Sequence, residues 1–190
     1  MRRIFVDTEF KNLPWTDHSE LLWIGLADEA GNSWSAINTD VVLDEHASEF
    51  TRTVVADRMP SDEQRLTAAG LAAAVREFCG EIVDEFWAYG PTVEVPADLF
   101  GLDDDASEAH ARYWDWDLEL MRRLVDPWPA GWTTTMSDLN SAARWAQVDL
   151  PPNELAHHPR HDALWDLEVW RMIDAAEAAR QPRTARRASA

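Results

Sequence analysis

The pattern of apolar and polar positions predicts a series of strands in the first part of the chain. Ile4–Val6 is a short apolar segment of largely β-forming residues, and the polar Asp7-Thr8-Glu9 follows it directly. Its length and composition predict a central, buried strand that carries acids at its end. Glu20–Asp28 and Ser33–Ile37 predict a second and a third strand, joined by a turn at Gly31-Asn32. The chain therefore opens with a β-meander.

Helical spacing dominates the remainder of the chain. The predicted helices lie between Asp44 and Thr53 and over Thr67–Cys79, Trp116–Val125, Ser137–Ala146 and Ala163–Ala179. Gly80 follows the second helix as a break, and Ser137 or Asp138 is the expected cap of the fourth. An aromatic strand, Glu85–Tyr89, lies between the second and third helices. Three strands, then helices, a fourth strand and further helices predict an α/β fold, a mixed β-sheet flanked by helices.

Two segments differ in composition from the rest. Pro91–Ala111 contains prolines, a glycine and the three acids Asp103–Asp105, and it predicts an inserted surface loop. The three acids lack the alternation and the glycine of a calcium-binding loop, so we expect a solvated turn. Residues 180–190 are basic and predict a disordered tail. We therefore expect one domain over residues 1–179, with an acidic insertion at about 91–111, and a tail over 180–190.

The composition predicts a folded globule in a reducing compartment. Apolar residues make up 46% of the chain, and eleven tryptophans supply large packing surfaces. The chain contains no run of about eighteen apolar residues, so the sequence does not predict a membrane span. Acids at Asp7 and Glu9 interrupt the N-terminal stretch that a secretory signal would need. The single cysteine, Cys79, cannot form an internal disulfide, and we expect a cytoplasmic protein.

The net charge of −18 argues against a simple nucleic-acid-binding surface. Proteins that bind phosphates through side chains usually carry a basic stripe. The tail from Arg180 to Ala190 holds four arginines and no acid, which leaves a net charge of −22 on the rest of the chain. Either bound divalent metals reverse the local field at a carboxylate site, or the protein does not bind nucleic acid at all.

Asp7 and Glu9 are the first candidates for chemistry. They lie two positions apart on a predicted strand, so both side chains point to the same face. Two carboxylates that close repel each other, and a divalent cation between them removes the repulsion, because Mg²⁺ and Mn²⁺ prefer hard oxygen ligands. The alternative is a solvated strand end. The apolar residues before Asp7 favour the metal interpretation, because bare charge is costly at the end of a buried strand.

The hexapeptide His161–Asp166, HDALWD, is the second candidate. Its histidine and its last aspartate would lie about 140° apart on an ideal helix, so both cannot face one site from within it. Asp162 is a good N-cap residue, and Pro159 disfavours an earlier helix start. His161 would then lie on the preceding loop, above a metal held by Asp166 on the first turn. The alternative is a surface histidine and a solvated helix acid.

These two segments resemble the first and third motifs of the DEDDh 3′-5′ exonuclease superfamily. The matching residues are IFVDTEF near the N-terminus and HDALWD near the C-terminus, and the resemblance covers most of residues 1–175. The ELLWIGL strand is most similar to the branch of small bacterial and phage exoribonucleases that includes the mycobacterial polyadenylate-specific enzyme. The resemblance implies a ribonuclease H-like fold, a mixed β-sheet flanked by helices.

The family also has a middle aspartate at the start of a helix that follows an aromatic strand. Asp117 matches it, with Trp116 before it and apolar residues three, four and seven positions later. Asp115 is the alternative, although the residue four positions after it is Glu119. The insertion Pro91–Ala111 stands where the family has a short connection, which is the main departure from the family pattern.

The resemblance implies a metal-dependent 3′-5′ exonuclease. It would act on the 3′ end of single-stranded RNA and release nucleoside 5′-monophosphates. Two Mg²⁺ or Mn²⁺ ions about 4 Å apart would be held by the four acids, with Asp7 bridging both and Glu9, Asp117 and Asp166 completing the set. His161 would take a proton from the attacking water.

Some expectations concern partners and neighbouring residues. A DNA-directed exonuclease would use the same five residues, and a protein without activity could present its acids as a mimic of nucleic acid. A homodimer is expected from the resembled branch, and no membrane partner is expected. Trp15, Trp23 and Trp116 are candidates to stack on terminal bases, with core packing as the alternative. His157 and His158 are predicted to be solvated loop residues.

Overall fold

A computed structural model describes residues 1–12, 19–90 and 116–180. In these residues six strands form one sheet in the order β4-β3-β2-β1-β5-β6. The strands are β1 (Arg3–Phe10), β2 (Leu21–Asp28), β3 (Ser33–Asn38), β4 (Arg65–Leu66), β5 (Glu85–Ala88) and β6 (Met136–Asp138). The predicted fold class, an α/β mixed sheet flanked by helices, is confirmed.

The strand β1 is central, as its composition predicts. It is antiparallel to β2 and parallel to β5, so its backbone is hydrogen-bonded on both edges. The pair β2 and β3 is antiparallel, whereas β3 is parallel to β4 and β5 to β6. Ile4 and Val6 face one side of the sheet and Phe5 faces the other, and all three are fully buried. The acids near the end of β1 therefore belong to a central, buried strand of the sheet.

Helices cover both faces of this sheet. They are α1 (Ala56–Arg58), which continues a π-helical segment over Thr51–Val55, then α2 (Ala68–Cys79), α3 (Trp116–Leu124), α4 (Leu139–Ala146) and α5 (Pro159–Arg180). The apolar faces of α2 and α3 pack with Ile4 and Val6, and those of α4 and α5 pack with Phe5. None of the helices in the described ranges is long and apolar enough to cross a membrane.

Local signals set the ends of two predicted helices. The hydroxyl of Thr67 accepts a hydrogen bond from the backbone N–H of Gly70 and starts α2, and Gly80, with a φ of 73°, ends it. Asp138 caps α4 by accepting from the backbone N–H groups of Asn140 and Ser141. The predicted bounds of α2 are confirmed, and of the two expected caps of α4, Ser137 and Asp138, the structure uses Asp138. These side chains accept hydrogen bonds from N–H groups that have no partner within the helix.

The short elements depart from the prediction. The first helical segment spans residues 49–58 and not the predicted stretch from Asp44 to Thr53. Its start is set by Ser48, whose Oγ accepts a hydrogen bond from the backbone N–H of Thr51. The strands β4 and β6 were not predicted, because two or three residues are too few to show an alternating pattern.

The start of α5 also differs from the prediction, and this difference affects the site. The helix begins at Pro159 and not at Ala163. Proline suits the first helical position because an N–H group at that position would have no hydrogen-bond partner within the helix. The carbonyl oxygen of His158 accepts from the N–H groups of His161 and Asp162 at 2.8 and 3.0 Å. The prediction that Asp162 caps this helix and that His161 lies on a preceding loop is therefore wrong: both are in its first turn.

Several predicted features fall outside the described residues. The acidic insertion Pro91–Ala111, the alternative acid Asp115, Trp15 and the tail beyond Arg180 belong to this group.

A glycine allows α5 to approach the sheet beside the acids of β1. Gly25 of β2 is the cross-strand partner of Asp7. A Cβ placed on Gly25 would lie 2.1 Å from the carbonyl carbon of Pro159 and 2.3 Å from the backbone nitrogen of Arg160. Only glycine lets two backbones come this close. The missing side chain thus determines where the first turn of α5 lies relative to Asp7.

We expect Gly25→Ala to lower the free energy of unfolding by roughly 1–3 kcal/mol, because one methyl group must push the start of α5 away from β2. Urea denaturation measures the loss. Gly70→Ala in α2 is the matched control: the nearest atoms lie 3.4 Å from its added Cβ. Alanine is the better helix former, so this control should be neutral or more stable by about 0.5–1 kcal/mol. A Gly25→Ala protein as stable as the wild type would contradict the close contact.

Candidate metal centre

Three carboxylates meet where β1 ends and α5 begins. Asp7 and Glu9 point to the α5 side of the sheet, as their spacing on a strand predicts, and Asp162 comes from the first turn of α5. One oxygen from each of the three lies within 4.8 Å of the others, which is close enough for one cation to bind all three. Asp162 was not among the predicted metal ligands.

Asp7 is the most strongly perturbed of the three. Its Oδ2 is buried and accepts no hydrogen bond from any described residue. Burial raises the pKa of Asp7 well above its ordinary value, and repulsion from Asp162, Asp117, Glu9 and Asp166 raises it further. A buried carboxylate oxygen without a donor is costly unless a cation or a proton occupies that position.

Glu9 is held by a histidine that was predicted to be solvated. The Nδ1 atom of His157 lies 3.2 Å from Oε1 of Glu9, and the ring of Phe50 packs edge-on against the imidazole with centroids 4.8 Å apart. Burial raises the pKa of Glu9, and the hydrogen bond from His157 opposes that rise. The same hydrogen bond raises the pKa of His157. His157 therefore orients Glu9 toward the centre.

Asp162 is oriented by two donors from the segment before the helix. Its Oδ1 accepts from Nδ2 of Asn153 at 2.6 Å, and its Oδ2 accepts from the backbone N–H of His158 at 3.1 Å. Burial raises the pKa of Asp162, and these donors partly counter the rise. The carboxylate is thus fixed in position before any ion binds.

The two remaining predicted acids flank this cluster. Asp117, in the first turn of α3, accepts from the backbone N–H and the Oγ1 of Thr8 at 2.8 and 2.6 Å. Burial raises the pKa of Asp117 to about 6, although the bonds from Thr8 lower it. Asp166 is only 2% exposed and accepts from the backbone N–H of Tyr89. Burial and repulsion from Asp117 raise the pKa of Asp166 well above its usual range.

An open cleft of about 390 Å³ leads to the cluster, and we call it the acidic cleft. The side chains that line it include Asp7, Asp162, His157, Tyr89 and Trp165. It thus combines carboxylates, an imidazole and two aromatic rings in a volume of the size that small ligands occupy.

His161 lies beside a different cleft. It lines a neighbouring space of about 330 Å³ with Leu155 and Glu168, and this space shares Asn153 and Trp165 with the acidic cleft. The ring of His161 packs edge-on against His158, with centroids 4.4 Å apart. The structure therefore brings the predicted acids together, with Asp162 added, but places His157 and not His161 at their edge.

The sequence contains a second histidine–aspartate pair, His157 and Asp162, which spacing alone does not distinguish from His161 and Asp166. His157 and Asp162 are five positions apart, the same separation as His161 and Asp166. The second pair is the first shifted by four residues, which is about one helical turn. Both aspartates therefore lie on the same side of α5, and both point toward the end of β1.

Other aromatic predictions had mixed outcomes. Trp23 is fully buried, so it cannot stack on a terminal base. Trp116 packs edge-on against Phe10 with centroids 6.0 Å apart, and its role in base stacking stays a prediction. His158 is not solvated, because it packs against Trp23 with its side chain only 14% exposed.

The centre fits a divalent cation. Five carboxylates have raised pKa values, and one of them, Asp7, has a buried oxygen with no donor among the residues described. Oxygen-only ligands of this kind suit Mg²⁺ and Mn²⁺ and not softer metals. Positive charge at this point would satisfy the orphaned oxygen and relieve the repulsion together.

Comparison with known proteins gives distant likenesses to solved structures. No protein-family model matches the chain, and no curated protein matches it. It is similar to Pop2p of S. pombe in a Mg²⁺- and Mn²⁺-bound form, with 13% identity and a TM-score of 0.43, over 88% of this chain and 81% of that one. It is also similar to zinc-bound E. coli ExoI in a complex with ssDNA, with 13% identity and a TM-score of 0.44, over 96% of this chain and 41% of that one. At these values neither likeness carries an argument about function.

The raised pKa of Asp117 predicts how stability depends on pH. Its value is about 6 in the folded protein against an ordinary 3.8, so the folded state binds this proton more tightly than the unfolded chain. The resulting stabilisation is fully present below about pH 4 and is lost as the pH rises through about 6. We expect the Tm of metal-free protein to fall over that range, and Asp117→Asn to make the fall shallower.

The matched control for this measurement is Asp174→Asn, which changes an exposed acid on α5. It should leave the pH dependence of Tm unchanged. If Asp117→Asn followed the wild-type slope, the assignment of the titrating group to Asp117 would be wrong.

We also expect Mn²⁺ to raise the Tm of the wild type at neutral pH and to leave that of Asp7→Asn nearly unchanged. Without metal, Asp7→Asn should be more stable than the wild type by roughly 1–3 kcal/mol, because it removes a buried charge that four others repel. Thermal unfolding with and without Mn²⁺ measures both effects, and Asp174→Asn should respond as the wild type does. If Mn²⁺ raised the Tm of Asp7→Asn as much as that of the wild type, the ion would bind at a different site.

Proposed function

We propose that the protein is a metal-dependent 3′-5′ exonuclease of the DEDDh superfamily with a ribonuclease H-like fold. It hydrolyses phosphodiester bonds from the free 3′ end of single-stranded RNA and releases nucleoside 5′-monophosphates. The observation that carries the proposal is the meeting of acids from three distant segments at one buried point: Asp7 and Glu9, Asp117, and the Asp162–Asp166 turn of α5. Hydrophobic packing does not require such a convergence, whereas a cation-dependent reaction does.

Two Mg²⁺ or Mn²⁺ ions are the proposed cofactor, held by Asp7, Glu9, Asp117 and Asp166, with Asp162 as an additional ligand. When bound, such ions neutralise the phosphodiester and make water a better nucleophile toward phosphorus. The chain supplies the orientation of the ligands. His157 fixes Glu9, Asn153 fixes Asp162, and the Tyr89 N–H fixes Asp166.

His161 is the proposed proton acceptor, as the resemblance implies. It lies four residues after His157, and Trp165, which lines its cleft, also lines the acidic cleft. The contacts of a general base often form only when the substrate is bound, and the proposal is that the imidazole of His161 reaches the acids in that complex. His157 has a different role in this proposal, because its Nδ1 is engaged by Glu9.

The burial of the acids supports catalysis over mimicry of nucleic acid. A mimic needs carboxylates spread over an exposed surface. Glu9, Asp162 and Asp166 are 8%, 8% and 2% exposed. RNA preference, a cytoplasmic location and a homodimer are proposed from the sequence, and the buried, reduced Cys79 suits the cytoplasm. A DNA-directed exonuclease with the same acids is the second candidate.

The experiment uses a 5′-labelled single-stranded RNA, the matched DNA, and the same RNA blocked by a 3′-phosphate. We expect Mn²⁺ or Mg²⁺ to produce a ladder that shortens by single nucleotides, with 5′-monophosphate products. Chelation should abolish it, and the blocked RNA should resist. Asp7→Ala and His161→Ala should each lose roughly 10²–10⁴-fold in kcat. His157→Ala should chiefly weaken metal affinity, by roughly 10–100-fold.

Each proposed point has an outcome that would contradict it. Equal rates on RNA and DNA would remove the RNA preference, and internal fragments would exclude an exonuclease. An active Asp7→Ala protein would refute the metal centre. If His157→Ala lost kcat and His161→Ala did not, the proton acceptor would be His157.

A further inference from the structure

Phe50 is an aromatic residue beside the metal centre to which the proposed reaction gives no role. Of the phenylalanines in the described residues it alone is exposed, with a relative exposure of 46%. It lies in the helical segment over residues 49–58, directly before the π-helical turn Thr51–Val55. Turns of this kind are rare and occur frequently at functional sites. The segment and its exposed ring are therefore candidates for a role in the site.

This helical segment is bonded to the residues that follow Glu9. The hydroxyl of Thr51, which is only 2% exposed, donates to the carbonyl oxygen of Phe10 at 2.9 Å. The backbone N–H of Ser48 donates to the carbonyl oxygen of Lys11 at 3.0 Å. Because Phe10 and Lys11 continue the chain directly from Glu9, the backbone of the segment is fixed relative to that ligand.

The ring of Phe50 contacts His157, a residue that needs support. The φ of His157 is 68°, in the left-handed region that residues other than glycine rarely adopt. Its side chain is 41% exposed, so the core does not confine it. The imidazole lies between Glu9, whose Oε1 is 3.2 Å from its Nδ1, and Phe50, whose ring packs edge-on against it with centroids 4.8 Å apart. A strained, half-exposed residue keeps one position only when such contacts determine it.

These contacts form a closed path around one metal ligand. Glu9 is followed by Phe10, whose carbonyl oxygen is bonded to Thr51. Thr51 is the sequence neighbour of Phe50, whose ring packs on His157. His157 is bonded back to Glu9. Each member of the path is thus held by two others.

We propose that Phe50 is a positioning residue of the metal centre. Its ring holds the imidazole of His157 in the orientation that binds Glu9, and this prepares the carboxylate for a cation. The inference rests on the proposed function, to which the cations belong, and it deepens that function. An outer contact of this kind supports metal binding without touching the ion, since a ligand that is already oriented loses less freedom when the cation binds.

The test measures Mn²⁺ affinity without RNA, from the EPR signal of the free ion during titration of the protein. Phe50→Ala should weaken Mn²⁺ binding by roughly 2–10-fold, which corresponds to the loss of one edge-on aromatic contact. Phe50→Tyr keeps the ring and should bind Mn²⁺ as the wild type does. With saturating Mn²⁺, Phe50→Ala should leave the KM for labelled RNA unchanged, because the ring acts on His157 and not on the substrate.

A double-mutant cycle shows whether Phe50 acts through His157. In the His157→Ala protein the imidazole is absent, so the further change Phe50→Ala should alter Mn²⁺ affinity by less than about two-fold. An effect that reached the centre through the fold as a whole would instead weaken Mn²⁺ binding by the same factor in both backgrounds.

Control variants separate the ring contact from other effects. Trp145→Ala removes an 83% exposed indole on α4, which does not line the acidic cleft, and should bind Mn²⁺ as the wild type does. Phe50→Leu keeps an apolar side chain but not the ring, and its Mn²⁺ affinity should lie closer to that of Phe50→Ala than to that of the wild type. Should Phe50→Ala fail to fold, Phe50→Leu decides the outcome, alone and combined with His157→Ala.

Three results would overturn the proposal. They are a Mn²⁺ affinity of Phe50→Ala equal to that of the wild type, an equal loss with and without His157, and a raised KM for RNA at unchanged Mn²⁺ affinity. The last result would make Phe50 a substrate contact.

Failure of this inference is distinguishable from failure of the proposed function. A wild type that binds no Mn²⁺ refutes both. A wild type that shows the coupling between Phe50 and His157 but cleaves no RNA refutes the exonuclease alone. A wild type that cleaves RNA without this coupling refutes the positioning role alone.

Discussion

Repulsion between carboxylates that have lost most of their water is the interaction on which the site depends. Asp7, Glu9 and Asp162 meet at the end of β1, and Asp117 and Asp166 lie beside them. Burial is the first cause of the raised pKa of each acid. The rest of the fold has to hold these groups together against that repulsion. It does so with a central strand, with donors such as Thr8, and with the packing of α5 on the sheet.

This constraint also accounts for the net charge of −18 in a protein proposed to act on a polyanion. Basic side chains are not needed where cations held by the protein meet the phosphate. The acids elsewhere on the surface would then disfavour contact with nucleic acid away from the site, where bound cations would reverse the sign of the field. Charge of this kind favours a short contact at a chain end over an extended interface.

The fold was largely predictable because its main elements carry local signals. The apolar run before Asp7 marked a central strand, and Thr67 and Gly80 marked both ends of α2. The pairing of Asp7 and Glu9 on one face followed from strand alternation alone. The strands β4 and β6 were missed, because pairing in so short a segment depends on neighbours and not on its own sequence.

The residues of the site were harder to predict, because residues about one turn apart lie on the same side of a helix. A histidine and an aspartate five positions apart occur twice in succession, offset by about one turn, and both aspartates reach the centre. Which histidine lies at the edge depends on where α5 begins. That start depends on Pro159, which was predicted to disfavour an earlier helix start and instead occupies the first position of the helix.

The contact between Gly25 and Pro159 is made by two backbones, and no side-chain torsion can lengthen or shorten it. The distance from Asp7 to the first turn of α5 is thereby set by peptide geometry. A smaller ion has to be accommodated by rotating carboxylates, since the two backbones already touch and the helix cannot come closer to the sheet. Mg²⁺ needs oxygens at about 2.0–2.1 Å and Ca²⁺ at about 2.3–2.6 Å. Discrimination between cations would then be governed in part by a residue that has no functional group and never touches the metal.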